Sequence, residues 1–343
     1  RLNRLPWIAA TAAVVVSFVV ACSLAASVIG GETIIYEMGG WPAPYGIVLN
    51  IDALSALMTM LITGASAAAL IFGYKSLADE VGEEIAPAFF AAWLLCTAGL
   101  VGMVITGDAF NIFVFMEISS LSTYILISLG HTRRALTAAF QYLVMGTIGA
   151  TFILVGIGLL YMMTGTLNMA DLAQRLPEVA DTRTIRVAFA FVTVGVSIKL
   201  ALFPLHLWLP NAYTFAPSVV SAFVAATATK VGIYILLRFF FTVFGIRFSF
   251  DAMHVGEILM LLAVAGILVA STVAIFQSNV KRMLAYSSVA QIGYIVLGIS
   301  LATTDGVTAG MIHLFNHAVI KGALFLALGC IFLRLGSTEL RDI

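Results

Sequence analysis

The stretch TVGVSIKLALFPLHLWLPNAY, residues 193–213, sets an ammonium group, Lys199, inside a long apolar run and then interrupts the run with Pro204 and Pro210. The rest of the chain is as apolar. Hydrophobic residues make up 62% of the 343 and charged residues 10%, whereas ordinary soluble domains are near half apolar and a quarter charged. Apolar runs of about 20 residues or longer, enough to cross roughly 30 Å of hydrocarbon, recur from end to end. In lipid every backbone amide needs an internal partner, and no alternating ten-residue strands are in view. The expected fold class is therefore all-α, a polytopic transmembrane helical bundle.

Working outward from that stretch, the hydrophobic segments fall at about 7–29, 47–74, 87–107, 109–129, 134–164, 184–214 (interrupted), 216–246, 254–278, 281–301 and 307–335, about ten spans in all. If each crosses, Arg1, Arg4, Lys75, Arg133, Arg134, Lys281, Arg282 and Arg341 collect on one side, and the excess of basic residues makes that side cytoplasmic. The 165–183 loop, GTLNMADLAQRLPEVADTR, then lies outside, and its LNMADLAQRL pattern suggests a short amphipathic surface helix. No Gly/Ser linker divides the chain, so residues 1–343 read as a single transmembrane domain. Five spans over 87–246 followed by three over 254–335 are consistent with one full repeat and a partial, inverted second repeat, a common transporter architecture.

Net charge is zero, with 17 basic and 17 acidic residues, which suggests neither a nucleic-acid surface nor a polybasic lipid-binding one. The expected partners are the lipid bilayer and other membrane subunits. Cys22, Cys96 and Cys330 sit inside apolar segments without the spacings that bind zinc, haem or iron–sulfur clusters, and are read as small core residues. No cofactor, metal site or catalytic centre is expected in this chain. With no initiating methionine and an end at RLGSTELRDI, the sequence reads as a fragment, and residues 7–29 as a span rather than a signal peptide.

Ionisable residues in the middle of a span cost about 2.5–3.5 kcal/mol on insertion scales, so each calls for a reason. Glu117 lies about nine residues inside its span in FNIFVFMEISSLSTYIL. Lys199 is in the opening stretch, Lys230 is in SAFVAATATKVGIYILLRF, and His313, His317 and Lys321 are in MIHLFNHAVIKGALFLALG. The last three are four residues apart and share one helical face, which should point into the bundle. Lys75 and Lys281, near span ends, are expected to snorkel to the headgroups, and Asp52 and Asp108 to be interfacial or capping residues. One Glu–Lys pair alone could be structural glue. A carboxylate, two lysines and a His/His/Lys ladder together point to proton passage, because burial draws such groups toward neutrality.

Pro204 lacks an amide donor and its ring opposes the preceding turn, so the helix carrying Lys199 is expected to be discontinuous between about 199 and 205. Irregular backbone at membrane depth is tolerated where it is buried in protein or lines a wet cavity. There Lys199 would gain carbonyl acceptors and water, and act as a switchable proton carrier.

These residues also resemble a known family. The chain is similar to the antiporter-type membrane subunits shared by Mrp cation/proton antiporters, respiratory complex I and membrane-bound hydrogenases. In that family a glutamate faces a lysine at the break of a discontinuous helix, with a second lysine or histidine in the next helix. FNIFVFMEISS supplies Glu117, SIKLALFPLHLWLPNAY supplies Lys199 and TKVGIYILLR supplies Lys230. KRMLAYSSVAQIGYIVLG and the element holding His313, His317 and Lys321 resemble the central axis of the second half. GGWPAPYGIVLNIDALSALM and TGTLNMADLAQRL most resemble the D-type component of Mrp antiporters, and Lys230 differs from the histidine of the longest complex I paralogue.

By that comparison the chain lacks the family's first helix and stops before the second broken helix. The resemblance implies an ion-translocating subunit of a hetero-oligomeric complex in a bacterial plasma (inner) membrane. Glu117 would tune Lys199, Lys230 would relay toward the centre, and His313, His317 and Lys321 would continue the path. Proton entry would be coupled to export of a monovalent cation such as Na+. The alternative is a proton-pumping subunit of a complex I-like or hydrogenase-like enzyme, with the redox centres in other subunits. A receptor or scaffold bundle would need no buried carriers.

Overall fold

Each apolar run contributes a helix in the computed structural model, which describes residues 4–82, 84–130 and 132–343. Arg1, used above for orientation, lies outside the described residues. The helices are α1 (Arg4–Val28), α2 (Ala53–Glu80), α3 (Ala86–Ile105), α4 (Ala109–Ser128), α5 (Arg133–Thr164), α6 (Met169–Val179), α7 (Arg183–Lys199), α8 (Trp208–Phe215), α9 (Ser218–Leu237), α10 (Val255–Ile275), α11 (Val280–Ser300) and α12 (Thr304–Leu335). Among the described residues, nine helices are long and apolar enough to cross a membrane. The tenth span is the broken pair α7 and α8. At 32 residues, α5 and α12 are each about 48 Å long, so they must tilt or protrude from the hydrocarbon.

Short polar residues set the helix starts, since the first amides of a helix need acceptors that the helix itself cannot supply. Asp52 accepts from the Ser55 amide, Asp108 from Asn111, Thr132 from Ala135, Thr182 from Ile185, Asn279 from Arg282 and Thr303 from Gly306. Asp52 and Asp108 are thus caps, as expected. The run expected to begin a helix at 47 instead contains a strand. Val48–Ile51 pairs antiparallel with Ile34–Glu37, in register Ile34 to Ile51 and Glu37 to Val48. The β-branched residues and the Asp52 cap together delay the helix to Ala53. The amphipathic helix expected in the 165–183 loop is α6, which buries Met169, Leu172 and Leu176.

At the centre stands α9, in which every residue from Ser218 to Leu237 is buried, the pattern of a helix that is apolar all round and surrounded by protein. It packs against α2, α3, α7 and α12. Beyond Leu237 its backbone loosens into π-helical turns at Arg238–Val243 and Arg247–Ala252. By contrast α10 and α12 leave many large apolar side chains exposed, among them Leu261, Leu268, Ile312 and Val319, which suits lipid contact. Cys330 lies on that exposed surface rather than in the core, while Cys96 is buried.

The pair α5 and α7 is joined by glycines, because without side chains two backbones can approach closely. A methyl group on Gly195 would lie 2.5 Å from the Gly149 carbonyl oxygen and 2.6 Å from Ile153 Cγ1. Gly195→Ala is expected to push α7 away from α5 and lower the stability of the detergent-solubilised protein by about 1–3 kcal/mol. A thermal unfolding midpoint equal to that of the parent would contradict the close approach.

Candidate functional site

Lys199 is the last helical residue of α7 and is buried. The helix stops because Ala201 turns into the left-handed region, at φ 58°, a conformation that costs a residue bearing a Cβ about 1–2 kcal/mol. The Ala201 amide donates to Ile198 and the Leu202 amide to Ser197, the paired closure of a Schellman motif. Pro204 follows and cannot resume the ladder. The chain runs through turns to Trp208, and Pro210 lies in the first turn of α8, where a missing amide donor does no harm. The break expected between 199 and 205 is present. Its trigger is Ala201, three residues before the proline.

The expectation that Lys199 would use the freed carbonyls is not met. The Ser197 and Ile198 oxygens are taken by the amides just named, and the Trp208 indole also donates to Ile198 O at 3.0 Å. The ammonium instead donates across the bundle to Ser120 Oγ of α4 at 2.5 Å. It lies 5.8 Å from the centre of the Tyr142 ring, a cation–π distance. Tyr142 stacks on Trp208 at 4.0 Å and meets Tyr124 edge-on at 4.8 Å. Glu117, one turn before Ser120 on α4, is half-buried and forms no ion pair with Lys199. The two act on each other through space.

The next cation, Lys230, is fully buried and donates to the Ala225 carbonyl at 2.5 Å. Two residues on, Gly232 makes room for the break itself, since a methyl there would come within 2.9–3.1 Å of Leu200 Cβ, Cα and N. Lys321 of α12, also buried, donates to the Leu284 carbonyl at 2.9 Å. It acts electrostatically on Lys230. His317, one turn before Lys321, is buried, and neither of its ring nitrogens has a hydrogen-bond partner. Its ring lies 6.2 Å from that of His313, whose Nε2 meets Gln291 Oε1 at 2.6 Å. The stripe faces the protein, most completely at His317 and Lys321 and less so at His313, which is partly exposed.

Sequence reasoning passed over several members of this site. Ser120 and Gln291 are ordinary helix residues until a distant cation or imidazole is placed against them. His206, inside the break, is buried with Nδ1 unpaired, stacked on Phe203 at 5.3 Å. Its place in FPLHLW was a usable signal. At the outer end of α9, Arg238 Nη2 donates to Asp52 Oδ1 at 2.5 Å and Arg238 Nε to the Tyr234 hydroxyl at 2.8 Å. Burial works against a charge on Asp52, but the bonds from Arg238 and Ser55 outweigh it and hold the carboxyl below its ordinary range.

Lys281 does not snorkel. It is buried and donates to Ala216 O at 3.3 Å and Ser218 Oγ at 3.2 Å. Glu80 of α2 accepts the Ser218 amide at 2.7 Å. The corner between α8 and α9 therefore has a cation at the C-terminal end of α8 and an anion at the N-terminal end of α9, each matched to the helix dipole it meets. Lys281→Met is expected to destabilise the protein by about 1.5–3 kcal/mol, the worth of charged hydrogen bonds. Lys75→Met, on an exposed surface, should stay within about 0.5 kcal/mol. Equal unfolding midpoints for the two variants would restore the snorkelling reading.

The comparisons with known proteins fit this geometry. A family profile described as NADH:quinone oxidoreductase/Mrp antiporter, TM, matches residues 106–343. The chain is 44% identical over 335 residues to the N-type subunit of NADH-quinone oxidoreductase from Desulforudis audaxviator, covering 98% of this chain and 66% of that protein. It is 32% identical over 329 residues to the D-type component of the Na(+)/H(+) antiporter from Alkalihalophilus pseudofirmus, covering 96% and 65%. It thus spans about two thirds of the length of these relatives. Among solved structures it is similar to a chain of the membrane-bound sulfane sulfur reductase, an archaeal respiratory membrane complex, with TM-score 0.88, 36% identity, and 97% and 67% coverage. It is equally similar in fold to a chain of the Mrp complex from Dietzia sp. DQ12-45-1b, with TM-score 0.88, 30% identity, and 98% and 61% coverage. The chain is a multi-pass membrane protein and belongs to the NADH:quinone oxidoreductase/Mrp antiporter transmembrane family.

Proposed function

We propose that the chain passes protons across the membrane along Glu117, Lys199, Lys230, His317 with His313, and Lys321, as part of the D-type component of an Mrp-type Na+/proton antiporter in a bacterial plasma membrane. One observation carries this reading. Each of the three lysines is held by a neutral oxygen, Ser120 Oγ, Ala225 O or Leu284 O, and none is closed in an ion pair among the described residues. A buried lysine kept only for structure is expected to have a carboxylate close by, as Lys281, itself on neutral oxygens, shares Ser218 with the Glu80 carboxylate. A lysine on a hydroxyl or carbonyl can surrender its proton without stranding an anion. His317, with both ring nitrogens unpaired, could take a proton on its one unprotonated nitrogen and release one from the other, and water is the natural partner of such buried atoms.

Movement follows from the charges. Lys230 and Lys321 act on one another, so a proton on one raises the cost of a proton on the other, and arrival at one end favours departure at the other. Glu117, outside ion-pair reach of Lys199 but coupled to it, can bias its proton affinity by a small change in distance. Residues 87–246 and 254–335 would be the full and the partial repeat, with the basic ends of the spans cytoplasmic. The second reading is a proton-pumping subunit of a complex I-like or hydrogenase-like enzyme. The 44% identity to an N-type oxidoreductase subunit favours it. Either way other membrane subunits complete the complex and no redox chemistry is assigned to this chain.

Proton flux into vesicles bearing the full complex tests the axis. Lys199→Ala and Glu117→Gln are each expected to lower flux on the order of 10²-fold, as for loss of a proton-transfer group, at unchanged expression. The double variant should lose little more, since both remove one functional unit. Parent flux in either single variant, or two additive losses, would refute the roles. Flux driven by a Na+ gradient supports the antiporter reading, and flux that requires electron transfer to an acceptor supports the second.

A further inference from the structure

Away from the axis, on the face formed by α5, α8 and α11, lies a cleft of about 490 Å³. Its polar lining is Gln141, Asn211, Arg282 and Tyr286, and its apolar mouth includes Phe140 and Leu207. Arg282 is the unexplained member. Its Nε is buried and has no hydrogen-bond partner, and among the described residues no carboxylate pairs with its guanidinium. A half-buried guanidinium whose Nε is buried without a partner, beside a cleft, is complementary to an anion with two oxygens to offer, and a phosphate matches the fork of its donors. Asn211 Nδ2 donates to Gln141 Oε1 at 2.8 Å, which fixes both amides and leaves the Gln141 amino group available to the same ligand.

The walls choose between sources of phosphate. Arg282 lies in the first turn of α11, at the end of the bundle that also carries Lys75 and Arg133, where headgroups would be met. Phe140 and Leu207 at the mouth are 65% and 69% exposed, surfaces that suit acyl chains and that a soluble anion would not use. We propose that this cleft is a binding site for an anionic phospholipid, its phosphate on Arg282 and a chain along Phe140 and Leu207. Trp208 lines the same cleft, so the lipid would rest against the residue that holds the Ile198 carbonyl at the helix break.

Bromine-labelled acyl chains, which quench a nearby indole, provide the test. The complex is reconstituted in phosphatidylcholine vesicles containing either brominated phosphatidylglycerol or brominated phosphatidylcholine, and the Trp208 signal is taken as the difference from a Trp208→Phe preparation. Brominated phosphatidylglycerol is expected to quench that signal severalfold more than brominated phosphatidylcholine at equal mole fraction. Arg282→Gln should abolish the preference. Arg282→Lys, which keeps the charge but not the fork, should weaken it, and serves alone if Arg282→Gln does not assemble. Equal quenching by the two lipids, or a full preference in both variants, overturns the proposal. So does recovery of emission on adding inorganic phosphate, which would indicate a soluble-anion site. Absence of quenching by either lipid would mean that a partner polypeptide covers the cleft, and also overturns it.

Discussion

The structure depends on how a buried ammonium finds an oxygen. Lys199 ends α7, and the carbonyls released there are consumed by the turn itself and by Trp208. The cation must therefore reach another helix, and Ser120 on α4 is its acceptor. That bond ties the end of α7 to α4 across the bundle, and the aromatic stack of Trp208, Tyr142 and Tyr124 fills the space around it. It also demands small residues where backbones converge. Gly195 and Gly149 set α7 against α5, and Gly232 lets the broken turn lie on α9. The left-handed Ala201 is a local cost, carried because these surrounding contacts hold the break in one place.

The two ends of the bundle use another principle, the matching of charge to helix termini. Glu80 and Lys281 take the opposite dipoles at the corner of α8 and α9. At the far end Asp52 both caps α2 and receives Arg238 from the extension of α9. The helix with the buried Lys230 is thus anchored at one end by the Arg238–Asp52 ion pair and at the other by Glu80 and Lys281 meeting on Ser218, while Lys199, Lys230 and Lys321 are each held by a single neutral oxygen.

This division makes the likeness to two kinds of complex intelligible. On the proposed reading, a train of buried amines and imidazoles would need only something to drive it, and a cation gradient or an electron-transfer reaction would serve. The solved relatives, an Mrp complex and a sulfane sulfur reductase complex, share the fold at the same TM-score.

By itself the sequence determined the class of fold, the approximate positions of the spans and the broken helix, and it singled out Glu117, Lys199, Lys230, His313, His317 and Lys321 as ionisable residues within spans. Hydropathy and helical spacing are local properties, and a charge within an apolar run is visible one residue at a time. The short hairpin at 34–51 escaped because four-residue strands beside a hydrophobic helix carry little pattern of their own. Partnership was decided by tertiary structure alone. Nothing near Lys199 in sequence names Ser120, 79 positions away, and nothing in the run around Lys281 distinguishes it from Lys75 until Ala216 and Ser218 are brought to it. Hydrogen bonds act over about 3 Å of space, whatever the distance along the chain, and so only the packed helices could show which oxygen holds each buried charge.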